Sequence, residues 1–234
     1  MLLLVICGSV ATPPAYAVTI VEQERGTFAR SHVIRSPNFQ EDVEASETRT
    51  LEAFDAMATS NAHLLPLVAT SSAWLESSLG TRTTRAQGGA TSILVAPESG
   101  RRAEAPADSF FEIIFDVEEE QPFRLQGQVD SLALDSEAFA FVELLYYGIL
   151  VIAEHTAGGG EYDRFDDTGT LAAGRYRLTA LALSYGETAG DASSPAALAS
   201  FQLAFEVPEP TSNTGAGISL LVLAGLARAR RRSR

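Results

Sequence analysis

Four carboxylates, Glu161, Asp163, Asp166 and Asp167, fall within seven residues, directly behind three glycines at 158–160 and close to His155. Carboxylates at that density could gather around Ca²⁺, a hard ion that takes about six to eight oxygen ligands. The spacing is not that of an EF-hand loop, so the run reads first as a solvated hairpin loop, with calcium as the alternative and no cofactor otherwise expected. Glu118, Glu119 and Glu120 read as a solvated turn. His32, His63 and His155 stand far apart, without the short His-to-His spacing that histidine metal centres use. No nucleophile elbow, phosphate-binding loop or dinucleotide fingerprint occurs. A glycosidase needs only two carboxylates and no local motif, which keeps a secreted hydrolase as the most distant reading. Trp74 and the pair Tyr146-Tyr147 have the ring chemistry to stack on sugars, although sandwich domains bury such aromatics in their cores as well.

These residues need a scaffold, and composition bounds what it is. The chain has 234 residues, 46% hydrophobic and 20% charged, which suits one main domain with a sizeable core. Seventeen basic residues, every one an arginine, face 30 acidic ones, and the net charge is -13. That balance gives no basic footprint for nucleic acid. The single cysteine, Cys7, lies in a segment expected to be removed, which takes cysteine nucleophiles, cysteine-ligated zinc and disulfides out of the mature protein together.

Period-two alternation predicts strands over residues 110–117 and 123–129, joined by the three-glutamate turn, then over 138–146 and 150–154 around a turn at Gly148. The runs RYRLTALALSYGE and AALASFQLAFEV alternate in the same way, with Tyr176, Leu178 and Ala180 on one face and Arg175, Arg177 and Thr179 on the other. Upstream, SSAWLESSLGTRT and ATSILVAP read as two more strands, with Gly88-Gly89 as a turn. In LEAFDAMATSNAHLLPLVA the first half has helical spacing, and Pro66 breaks the second. About eight strands at hairpin spacing, without a βαβ rhythm, predict an all-β fold, an antiparallel β-sandwich of jelly-roll type. The stretch Leu171, Gly174, Tyr176, Leu178 resembles an L-x-x-G-x-Y-x-L pattern near the last strands of secreted bacterial sandwich modules, a weak motif because it also fits a generic hairpin.

Both ends read as addresses. MLLLVICGSVATPPAYAVTI has an apolar run, helix-breaking Pro13 and Pro14, and the small-x-small triplet ending in Ala15 and Ala17, which predicts a signal peptide over 1–17 cut before Val18. No basic residue precedes the run, so a start further upstream is expected. At the other end GAGISLLVLAGLA is a short apolar span followed by Arg228, Arg230, Arg231, Arg232 and Arg234. An arginine cluster after an apolar span is retained on the cytoplasmic side, which predicts a transmembrane tail with the acidic body outside.

Pro208-Glu209-Pro210, the short apolar span and the terminal arginines, in that order, resemble the PEP-CTERM sorting signal of Gram-negative bacteria. The resemblance covers about the last tenth of the chain. It implies that the tripeptide is a substrate motif for exosortase, a membrane enzyme, and that the protein passes through the inner membrane to the cell surface or outside. Loss of the five tail arginines would take the net charge to about -18. The expected layout is therefore signal peptide 1–17, first strands or an extension over 18–50, sandwich 51–207 and sorting signal 208–234. Signal peptidase, the Sec translocon, exosortase and exopolysaccharide are the partners this implies. The expected role is that of a non-enzymatic structural or adhesive matrix or biofilm component. A carbohydrate-binding module is the next reading.

Overall fold

The computed structural model describes residues 18–35, 38–64, 67–95, 102–189 and 194–208, and these are almost all extended: twelve strands and, among the described residues, no helix.

 The strands are β1 (Thr19–Arg35), β2 (Asn38–Thr48), β3 (Phe54–Leu64), β4 (Leu67–Ser78), β5 (Thr83–Val95) and β6 (Arg102–Val117), followed by β7 (Gln121–Leu134), β8 (Glu137–Tyr146), β9 (Leu150–Gly158), β10 (Tyr162–Leu171), β11 (Gly174–Ala189) and β12 (Ala196–Glu206). They form two six-stranded antiparallel sheets, sheet A in the order β2-β1-β6-β11-β8-β9 and sheet B in the order β10-β7-β12-β5-β4-β3. The molecule is a β-sandwich. From β5 onward the chain mostly alternates between the sheets, and the strands before β5 widen both of them at one side.

The sequence explains the core. Phe111, Ile113, Phe115 and Val117 of β6 point inward, as do Tyr176, Leu178, Ala180 and Ala182 of β11, and each is buried. They meet Phe123 and Leu125 of β7 and Phe201, Leu203 and Phe205 of β12. Phe115 and Phe205 lie 5.2 Å apart between ring centroids, a contact that ties sheet A to sheet B. A smaller cluster, Val33, Ala62, Leu67, Ala69, Leu94, Ala103 and Ala105, fills the other end. Buried serines lie between the sheets and satisfy one another: Ser92 and Ser184 are 2.8 Å apart, and the Ser109 hydroxyl donates to the Trp74 carbonyl at 2.8 Å.

Several expectations change here. Twelve strands replace about eight. The helical spacing at the start of LEAFDAMATSNAHLLPLVA belongs to β3, and β3 and β4 are paired up to Leu64 and Leu67 on either side of the stretch holding Pro66. SSAWLESSLGTRT is the end of β4 and the start of β5 rather than one strand. Gly88 and Gly89 lie inside β5, not in a turn. A Cβ on Gly88 would fall 2.2 Å from the Ser109 hydroxyl and 2.8 Å from the Phe201 ring, so close approach of the sheets demands the glycine. Residues 18–50 hold β1 and β2, and β1 is hydrogen-bonded to β6 within sheet A.

Arg25 on β1 faces inward and is fully buried. It donates to Ser77 Oγ at 2.8 Å, to the Glu52 carbonyl at 2.7 Å and to the Thr50 carbonyl, and its guanidinium lies 5.5 Å from the centre of the Phe54 ring. Burial lowers its pKa from the ordinary arginine value. These bonds tie the β2–β3 connection to the sandwich. Arg25→Ala is expected to cost about 3 kcal/mol, because it opens a cavity and strands two carbonyls. Arg25→Lys is expected to recover only part of that, since an ammonium lacks the planar fork. Urea unfolding of the two variants checks both values.

Candidate functional site

Of the acidic run only Glu161 lies in a loop. Residues 162–171 form β10, the edge strand of sheet B, and β9 is the edge strand of sheet A, so the β9–β10 connection crosses from one sheet to the other. Alternation then sends the carboxylates to different places. Asp163 and Asp167 face the interior side and clasp His155 of β9, with Asp163 Oδ2 2.8 Å from Nδ1 and Asp167 Oδ2 2.6 Å from Nε2. The His155 ring is stacked on Phe165 at 4.0 Å. Asp166 points outward and receives two hydrogen bonds from Arg124, at 2.7 and 2.8 Å. Glu161 accepts from the Gly158 amide at 3.3 Å.

The four acids are therefore split among three partners, with Asp163 and Asp167 sharing His155, and among the described residues no group of three or more His, Cys, Asp or Glu could hold a metal ion. Thermal melts with and without millimolar Ca²⁺ are expected to coincide, and a rise in melting temperature with calcium would contradict this assignment of partners. The Arg124 hydrogen bonds hold the Asp166 carboxyl below the usual carboxylate range. A depressed folded value means that the pair's stabilisation is present above the unfolded value of about 3.9 and is lost as pH falls through the folded one. An NMR titration of Asp166 is expected to show its midpoint move upward in Arg124→Gln.

Tyr146 and Tyr147 stay in edge contact, 4.3 Å between ring centroids, but have different surroundings. Tyr146 packs against Tyr176 at 5.0 Å, while Tyr147 is 60% exposed in the turn before β9, where its φ is 51°. Tyr176 is buried and donates from its hydroxyl to the Ala172 carbonyl at 2.9 Å. Gly174 has φ 150°, and a Cβ there would lie 2.5 Å from the Tyr146 ring. The Gly174–Tyr176 pattern is thus a device that pins the entry into β11.

The outer face of sheet B offers a different arrangement. Register places Arg164, Gln128, Gln202, Gln87, Glu76 and Asp55 in one row across its six strands. The adjacent row is Tyr162, Asp130, Ser200, Gly89, Trp74 and Met57. Trp74 is 40% exposed and lies over Gly89, whose Cβ, if present, would meet the indole Nε1 at 2.7 Å. Tyr162 is exposed at the other end, and its hydroxyl donates to Gln128 Oε1 at 3.2 Å. Four strand steps separate the two rings, about 19 Å at about 4.8 Å per step. Gln87 donates to Glu76 at 2.7 Å, which fixes one of the central amides. The Gln row opens into a cleft of about 1020 Å³, also lined by Arg85, Arg124 and Gln126. Of this face the sequence singles out Trp74 as an aromatic, Asp166 as one of four clustered acids and Gly89 as a turn residue, each for a different reason. The alternation of Gln126 and Gln128 around Gly127 was the one local sign of the rest.

Pro208 lies exposed immediately beyond β12, after the Val207 amide has donated to the Arg82 carbonyl at 2.8 Å. Glu209 and Pro210, the signal-cleavage residues Ala15 and Ala17, and the arginines at 228, 230, 231, 232 and 234 lie outside the described residues. Among the described residues no helix is long and apolar enough to cross a membrane.

No model of a known protein family matches the chain. No curated protein matches it either. Among solved structures it is similar to the enzymatically active domain of bacteriophage CBA120 tailspike protein 4, at 13% identity and a TM-score of 0.23, over 58% of this chain and 19% of that one. It is also similar to TmCBM61, solved in complex with β-1,4-galactotriose, at 12% identity and a TM-score of 0.20, over 51% of this chain and 82% of that one. A third likeness is to infectious bursal disease virus, Gx strain, at 8% identity and a TM-score of 0.26, over 86% of this chain and 59% of that one. The chain thus spans about a fifth of the length of the tailspike domain and under two thirds of the viral protein. At such identities and TM-scores these likenesses say nothing of what this chain binds.

Proposed function

We propose that this chain is an exported, non-enzymatic β-sandwich that binds an extended carbohydrate across the outer face of sheet B. The observation that carries the binding is the pair of rows on that face, with an indole laid on Gly89 and a tyrosine at the far end, beside the amides of Gln128, Gln202 and Gln87. A sugar ring has an apolar face and a rim of hydroxyls. Exposed aromatic faces suit the first, and amides, which both donate and accept, suit the second. The strand orders β5-β12-β7-β10 and β6-β11-β8-β9 support a jelly-roll reading, an architecture that lectin domains use among others. Affinity electrophoresis through gels containing polysaccharides tests the binding, with retardation as the expected result. Turnover of generic glycoside or ester substrates by the purified sandwich would overturn the non-enzymatic part.

Delivery rests on the resemblance at the carboxyl end. In this reading the chain enters the Sec translocon, loses residues 1–17 to signal peptidase, and is held transiently in the inner membrane until exosortase acts at Pro208-Glu209-Pro210. It is then released to the cell surface or the extracellular matrix. The exposure of Pro208 directly after β12 supports this, because an enzyme can reach the start of the tripeptide without unfolding the sandwich. Cell fractionation of a variant with all three motif residues replaced by Ala tests it. Retention in the inner membrane is the expected outcome, and normal surface delivery would overturn the motif assignment.

A further inference from the structure

The sandwich arginines whose side chains are described divide into two groups. Arg30, Arg49, Arg102, Arg124, Arg175 and Arg177 each lie against a carboxylate. Arg25 is buried on backbone carbonyls and Ser77, and Arg82 also has a partner. Arg85 on β5 and Arg164 on β10 are exposed and make no hydrogen bond or salt bridge among the described residues, although Arg164 is near enough to Asp166 to favour its charged form. Both line the cleft on sheet B. Acidic residues outnumber basic ones by 30 to 17 in this chain, so carboxylates to pair with them are plentiful. Two guanidiniums left unpaired in one cleft are available to an anion from outside.

The cleft fits such a ligand in charge and in size. Its lining holds three arginines and three carboxylates, Asp55, Glu76 and Asp166, so it is balanced on a molecule of net charge -13. Asp166 is held by Arg124, and Glu76 accepts from Gln87, while Asp55 sits at the far end of the Gln row from Arg164. Arg85 and Arg164 are three strand steps apart, about 14 Å, and one row out of line. That separation is too great for one small anion and suits a chain that carries acidic groups at intervals. The planar guanidinium fork matches a carboxylate in two parallel hydrogen bonds.

We propose that the ligand is a linear polysaccharide bearing carboxylates, with Arg85 and Arg164 each engaging a sugar carboxylate while the glutamines between them hold hydroxyls. This rests on the carbohydrate reading of the same face. Titration calorimetry with polygalacturonate, with the same polymer after reduction of its carboxyl groups, and with dextran sulfate tests it. Polygalacturonate is expected to bind, the reduced polymer to bind about tenfold or more weakly, and the double variant Arg85→Gln/Arg164→Gln to lose the same factor on polygalacturonate with an unchanged melting temperature. Equal affinity for the reduced polymer, with no effect of the double variant, would overturn the acidic assignment and leave the carbohydrate reading in place. Tighter binding of dextran sulfate than of polygalacturonate would overturn the choice of carboxylate. If neither polygalacturonate nor its reduced form binds, this proposal fails. Retardation by other neutral polysaccharides, lost in Trp74→Ala, would then show that the broader reading survives it.

Discussion

Replacing Trp74 by Ala is expected to weaken polysaccharide binding about thirtyfold, or about 2 kcal/mol, the scale of an aromatic anchor at the centre of a contact surface. The melting temperature is expected to stay within about 2 °C of wild type. The two effects separate because the indole lies outside the sandwich, while the Trp74 backbone carbonyl, which every substitution keeps, holds the buried Ser109 hydroxyl. Gly89→Ala gives a second handle. Its Cβ would press on the indole nitrogen from below, so the ring must lift from the sheet, and binding is expected to fall without loss of the ring itself. Affinity electrophoresis and calorimetric melts measure both effects, and wild-type retardation of Trp74→Ala would remove the ring from the binding surface.

Gly127→Ala is expected to be the most damaging methyl addition to the floor of the cleft, at about 3 kcal/mol and a fall in melting temperature of about 6–12 °C. The added Cβ would lie 2.0 Å from the Gln202 carbonyl oxygen and 2.8 Å from the Phe165 ring. The oxygen belongs to backbone in β12, which is paired along its whole length to β7 and to β5, so neither strand can yield without losing ladder hydrogen bonds. Gly158→Ala is the control. The nearest atom to its Cβ would be Phe139 Cδ2 at 3.6 Å, ordinary contact, and its stability is expected to stay within about 0.5 kcal/mol of wild type. Equal melting temperatures for the two variants would contradict the argument from close approach.

The parts of the fold legible in the sequence are those whose inner face is mostly large and apolar. β6, β8, β11 and β12 alternate Phe, Ile, Leu, Val, Tyr and Ala against polar residues, and period two is plain there. The inner face of β1 is instead Gln23, Arg25, Thr27, Ala29, Ser31 and Val33, so four of six inward positions are polar, and Gln23, Arg25 and Ser31 are held there by hydrogen bonds that only the tertiary structure supplies. β3 turns Ala58, Ser60 and Ala62 inward, small residues that fit closely spaced sheets and carry little hydrophobic signal. The glycines of β5 imitate a turn because close approach and chain reversal select the same residue. The cleft was hidden for another reason. Gln87, Gln128, Gln202 and Arg164 are scattered along the chain and become neighbours only through strand register, so Trp74 could be noticed alone but its row could not.

The place where the chain leaves the sandwich also bears on how the molecule carries a load. Pro208 follows directly from β12, an interior strand of sheet B that also contributes Gln202 to the cleft. On the proposed reading, tension between an anchored carboxyl end and a polymer held in the cleft would run along β12. The hydrogen bonds that join β12 to β5 and β7 lie across that direction, and eleven residue pairs on each side share the strain together. Shear of that kind must break many bonds at once, whereas a pull on a hairpin end opens them one after another. On that reading the sandwich would serve as a stiff mechanical link.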